Sequence, residues 1–201
     1  MIGVYLLYHT TKKNFMSLSH WTYFLSIEQD VHKLSRYIEF SPDNYECYSI
    51  ETARILMTAT QEIDVILKQI CAKYGDKAEN EAGYRRFFRK KFPKLLKTEV
   101  DILKFEIGYV PFSEWKKDKT PDWWTGNNKV KHQRHTHYKH AKLENVLKAV
   151  SGLFLVNLYH SHETHGLVNI FPGPTLFGAS SLTTHNKNTV MGLMPQYEIK
   201  L

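Results

Sequence analysis

Two long stretches of helically spaced apolar residues constrain this chain more than anything else in it. From Ile50 to Tyr74, the residues Ile55, Leu56, Ala59, Ile63, Ile66, Leu67 and Ile70 recur every three or four positions, which gathers them on one broad face of a helix. Ser49 stands where an N-cap is needed, Glu51 puts a carboxylate in the first turn against the helix dipole, and Gly75 supplies the stop. A second stretch, about Ala141–His160, carries Leu143, Val146, Leu147, Val150, Leu153, Phe154 and Leu158 on a wide apolar face and should be central to the core. Neither helix can bury its stripe alone. The predicted fold is therefore mainly α: a helical bundle, with short extended or β segments at the termini and near residues 100–110.

The remaining elements follow from weaker signals. Ile27, Val31, Leu34 and Ile38 predict a helix over Ser26–Ile38, and SPDN at 41–44 a turn. Glu79–Phe92 reads as a basic helix ended by Pro93. Val100, Ile102, Phe105, Ile107 and Tyr109 alternate loosely, as an extended segment or strand pair would. Met1–Tyr8 is expected to be a short strand or buried extended segment, and Thr189–Leu193 and Gln196–Leu201 short strands. With 201 residues, 42% of them hydrophobic, one packed domain over 1–165 is expected. The Pro-, Gly- and Ser/Thr-rich residues 166–201 are expected to form an irregular arm packed on it.

Charge narrows the partner. The chain carries 27 basic and 20 acidic residues, a formal charge of +7, which favours a polyanion or an acidic protein face. Cys47 and Cys71 are too few for a disulfide framework. The opening MIGVYLLYHTTKK has too short an apolar run for a secretory signal. The expectation is a cytoplasmic protein with no membrane contact. No phosphate-cradling glycine loop, nucleophile elbow or dinucleotide fingerprint occurs, which argues against nucleotide-driven and acyl-transfer enzymes.

The segment Thr120–His140, TPDWWTGNNKVKHQRHTHYKH, concentrates two tryptophans, paired asparagines, histidines and basic residues. Asp122 or Thr120 is expected to cap its helix, with Pro121 in the first turn. On a continuous helix Trp124, Asn128, Lys131, His132 and His135 fall within roughly a third of the circumference. Trp123, Asn127, Val130 and Arg134 fall on the neighbouring face. An imidazole that moves a proton, an amide that orients it and cations that stabilise phosphate charge are the parts a phosphodiester reaction uses. The plainer reading makes the tryptophans packing anchors and the histidines a solvated helix end.

The Asn128-x3-His132 spacing resembles that of HEPN-type helical proteins, many of which are prokaryotic RNases in toxin and phage-defence systems. Asn127 stands where that pattern carries an arginine, and a literal Arg-x5-His recurs downstream as Arg134 and His140. More widely, residues 26–160, with QEIDVILKQI at 61–70 and then a WW–NxxKH helix, resemble a bacterial family of unassigned function. The resemblance implies a HEPN-like domain over 1–165 that acts on RNA and forms a homodimer. Acting as a metal-independent endoribonuclease, it would use His132 to move protons, Asn128 to orient, and Lys131 and Arg134 to stabilise charge. The alternative is a non-catalytic helical binding or regulatory module, such as the protein partner of a toxin or defence component.

Three further groups bear on this. Arg85, Arg86, Arg89 and Lys90 lie in YRRFFRKKFPKLLK at 84–97. With Trp124 and His135, they are the expected nucleic-acid contacts; otherwise this is an amphipathic helix burying Phe87 or Phe88. Histidines spaced as His132/His135 and His137/His140, and the group His160, His162 and His165, lack a defined ligand set, so neither metal nor cofactor is expected. Glu62 lies near the apolar stripe of the 50–74 helix, where it either hydrogen-bonds the helix at 120–140 or faces solvent.

Overall fold

The computed structural model describes residues 15–166, 168–169, 172–184 and 196–199. The chain is mainly helical. Helices α1 (Phe15–Leu34), α2 (Ile50–Lys73), α3 (Glu81–Lys91), α4 (Asp122–His137) and α5 (Leu143–His165) supply the bundle. Short strands β1 (Val100–Ile102), β2 (Ile107–Tyr109), β3 (Val168–Asn169), β4 (Phe177–Gly178), β5 (Thr183–Thr184) and β6 (Gln196–Tyr197) lie at its margins. The extended segments expected at Met1–Tyr8 and Thr189–Leu193 lie outside the described residues. Among the described residues no helix is long and apolar enough to cross a membrane.

The two apolar stripes form the central pair. Leu56, Ala59, Ile63, Ile66 and Leu67 of α2 are fully buried, as are Leu143, Val146, Leu147, Val150, Leu153 and Phe154 of α5. Helix α1 packs across both and α4 closes the other side. Ser49 caps α2 as expected: its hydroxyl accepts from the Thr52 N–H while the Thr52 hydroxyl accepts from the Ser49 N–H. Helix α1 starts much earlier than Ser26, because Trp21, Phe24, Ile27, Val31 and Leu34 continue one buried stripe through interleaved polar residues. Ile38 lies beyond its end.

The 100–110 segment is a hairpin. Val100 pairs with Tyr109 and Ile102 with Ile107, with Glu106 in the left-handed region at φ 55° between them. The free edge of β1 pairs with β4, so residues 177–178 complete a three-stranded sheet ordered β2-β1-β4. Residues 177–178 are thereby joined to β1. Glu28 of α1, only 2% exposed, accepts through a single oxygen from the N–H groups of Thr175, Leu176 and Phe177 at 2.9, 2.8 and 3.3 Å. The Trp21 indole donates to the Pro172 carbonyl.

A half-buried carboxylate also fixes the entry to α4. Glu81, in the first turn of α3, accepts from the Trp115 indole at 2.7 Å, the Thr120 hydroxyl at 2.9 Å and the Arg85 guanidinium at 2.8 Å. Neither Thr120 nor Asp122 caps α4. Pro121 occupies the cap position without a side-chain bond, and the Thr120 hydroxyl is taken by Glu81. The Trp123 indole donates to the Pro111 carbonyl and anchors the first turn.

Candidate functional site

Helices α2 and α4 face each other with matching polar stripes. Met57, Thr60, Gln61 and Asp64 on α2, and Trp124, Asn127, Asn128 and Lys131 on α4, repeat the same i, i+3, i+4, i+7 spacing, which sets each group on one helix face. Together with Thr58 they line a cleft of about 450 Å³, within the usual size of a small-ligand site, roughly 300–1,000 Å³. In a bundle such facing stripes are ordinarily apolar. Here they carry a carboxylate, three carboxamides, two hydroxyls and an ammonium.

The hydrogen bonds inside the cleft decide what it offers. The Thr58 and Thr60 hydroxyls donate back to the Arg54 and Leu56 carbonyls, each at 2.8 Å, so both oxygens retain only acceptor capacity. The Asn127 amide donates to the Asn128 side-chain oxygen at 3.4 Å. That leaves the Oδ1 of Asn127, a residue 7% exposed, buried without a hydrogen-bond partner. Such an atom costs about 1–3 kcal/mol until a donor reaches it. Burial pushes the neighbouring Tyr84 phenol well above its ordinary pKa, and the negative charge of Asp64 adds to the shift.

Of the expected catalytic residues, the structure brings Asn128 and Lys131 to the cleft and leaves His132 and Arg134 outside its lining. Helix α4 is not continuous. Gln133 departs from helical geometry with φ −140° and ψ 41°, so the ideal wheel fails beyond His132. Arg134 and His135 belong to a turn with a new direction, both exposed. Further on, the His137 and His140 rings stack at 5.7 Å. Burial depresses the His140 pKa, with the charges of Lys129, His137, Lys139 and Lys142 depressing it further. The end of α4 therefore carries a positive field.

The expected nucleic-acid contacts are only partly free. Trp124 is 5% exposed and packs against Trp123 and Tyr84, so it is a core anchor whose edge forms cleft wall, not an open stacking platform. Arg85 is held by Glu81, Asp118 and Thr120, and Arg89 by Asp118 at 3.0 Å. Arg86 lies 4.0 Å from Asp76, while Lys90 is exposed. Helix α3 thus follows the amphipathic reading: it buries Phe88 and half-buries Phe87.

Sequence reasoning missed the α2 half of the cleft, although the polar interval Thr60, Gln61, Asp64 matches the α4 spacing. It also misplaced Glu62, which is only partly exposed and bonds His20 of α1 rather than α4. The His20 Nδ1 donates to Glu62 at 2.5 Å, and the His20 and His160 Nε2 atoms both meet the Gln69 side-chain oxygen, at 3.2 and 3.1 Å. Three helices, α1, α2 and α5, are tied at this point. The Glu62 bond raises the His20 pKa despite partial burial. Among the described residues no group of three or more His, Cys, Asp or Glu side chains could hold a metal ion.

Comparison of the chain with models of protein families, with curated proteins and with solved structures finds no match.

Proposed function

We propose that this chain is a HEPN-like, RNA-acting protein that holds single-stranded RNA at the α2–α4 cleft. The observation that carries the reading is the pair of facing polar stripes: a half-enclosed site with amides and a carboxylate for a base edge, an exposed ammonium, Lys131, and an apolar wall from Trp124 and Met57. Unstacked bases are read by such groups, and the phosphates that accompany them need a cation. The positive end of α4, with Lys129, Arg134 and Lys139, extends the path for the backbone. A cytoplasmic setting belongs to the same proposal.

The test is fluorescence anisotropy of labelled ten-nucleotide RNAs across a salt series. Binding is expected to weaken with salt, and Lys131→Ala should reduce the slope of log K against log salt by about 0.7, one phosphate contact on a single strand. Binding without salt dependence, or unchanged in Lys131→Ala, refutes the assignment.

A second reading, metal-independent endoribonuclease, is favoured by the position of His132 directly after the cleft residue Lys131, about 100° around the helix from it. His132 is exposed, so a second copy of the chain facing it would complete such a site. RNA cleavage in EDTA that disappears in His132→Ala supports this reading. Binding without cleavage supports the non-catalytic module.

A further inference from the structure

We infer that the base seated in the α2–α4 cleft is guanine, recognised through its N1–H and N2–H2 donors. The inference rests on the RNA reading above and specifies its ligand.

The cleft carries acceptors at its wall, and among the described residues its ammonium is that of the exposed Lys131. Asp64 contributes two carboxylate oxygens. The Thr58 and Thr60 hydroxyl protons are already committed to the helix backbone, so those oxygens can only accept. Asn127 Oδ1, though unpaired, is sealed from solvent and lies outside this set. A ligand that satisfies this set brings two or more adjacent N–H groups.

Among the common bases only guanine presents adjacent N–H donors from two nitrogens on its Watson–Crick edge, a match for both oxygens of one carboxylate. Uracil brings one donor flanked by two acceptors, which would face Asp64 lone pair to lone pair. Adenine and cytosine each bring an exocyclic amine beside a ring acceptor, so one carboxylate oxygen would again meet a lone pair. Guanine O6 and N7 remain to accept from the Asn128 or Gln61 amide or from Lys131, and the phosphate lies toward the positive end of α4. A bidentate pair of this kind discriminates roughly tenfold to a hundredfold against the wrong base.

The experiment uses the full chain and labelled pentamers UUXUU, with X as guanosine, inosine, adenosine, cytidine or uridine, beside guanosine 5′-monophosphate. The guanosine pentamer should bind at least about tenfold tighter than the adenosine, cytidine and uridine forms. Inosine, which lacks the N2 amine, should lose about tenfold. Asp64→Asn should abolish the guanosine preference and favour xanthosine, whose C2 carbonyl accepts from the new amide; circular dichroism confirms that the variant is folded. Pentamers that bind within twofold of one another overturn the guanine assignment and leave the RNA reading standing. A guanosine preference unchanged in Asp64→Asn also overturns it. The mononucleotide binding as tightly as the pentamer supports guanine and removes the RNA reading; no binding by any probe removes both.

Discussion

Glu28 offers the sharpest test of how residues 175–177 are held. One of its oxygens accepts from three consecutive N–H groups, those of Thr175, Leu176 and Phe177. Thr175 is exposed, so water can replace its lost bond, whereas Leu176 and Phe177 are 2% and 1% exposed and their N–H groups would be left dry. At about 1–3 kcal/mol for each buried unpaired group, and with the charge-assisted bonds themselves lost, Glu28→Ala should cost about 3–5 kcal/mol. Glu28→Gln keeps an oxygen in the same place and loses only the charge, so about 1–2 kcal/mol is expected. Urea unfolding followed by tryptophan fluorescence measures both, and Trp21, bonded to Pro172, reports from the same junction. Hydrogen exchange over residues 175–178 should rise most in Glu28→Ala, because β4 loses its anchor to α1. A Glu28→Ala loss below about 1 kcal/mol, or equal damage from both variants, would refute the account of the carboxylate as a main-chain clamp.

Two further outcomes follow from single contacts. His20 is protonated more readily in the fold than its ordinary value of 6.5 allows, chiefly through Glu62; its contribution is therefore complete below that value and is lost as pH rises through the raised one. The stability difference between wild type and Glu62→Gln should be larger at about pH 6 than at about pH 9, and a difference independent of pH would remove His20 from the account. At Gly126 an added Cβ would come within 2.7 Å of the Asn145 amide nitrogen and 3.1 Å of the His140 carbonyl, two groups bonded to each other. Gly126→Ala should lose about 1–2 kcal/mol despite a helix-propensity gain of about 1 kcal/mol, and a more stable variant would contradict that contact.

What the sequence reveals of the fold tracks how far each signal is local. The stripes of α2 and α5 and the cap at Ser49 are visible because each is a pattern within one element. The hairpin at 100–109 is visible for the same reason, but its third strand is not. The Ile102–Phe177 pairing joins residues far apart in the chain, and Phe177 stands in a segment whose Pro, Gly and Ser content reads as an arm. Glu28 is equally opaque. A carboxylate in a helix reads as solvent-facing until the backbone that caps it is known.

The site divides along the same line. Asn128 and Lys131 were legible because α4 is regular up to His132, and the wheel holds that far. It fails at Gln133, where no glycine or proline marks the break, so grouping His135 with His132 assumed a helix that does not continue. Arg85 and Arg89 carry the right charge for phosphate, yet Glu81 and Asp118 already neutralise them; composition counts cations without counting their partners. Asn127 is the most instructive case. Against the pattern the segment resembles, Asn127 stands where an arginine is expected. In the structure the same residue is buried beside Asn128, opposite Thr60 and Asp64, with an oxygen that lacks a donor. An arginine there would bury a guanidinium facing the cleft and favour an anion in it. An asparagine leaves a neutral amide instead, so among the described lining residues the positive charge of the cleft rests on Lys131.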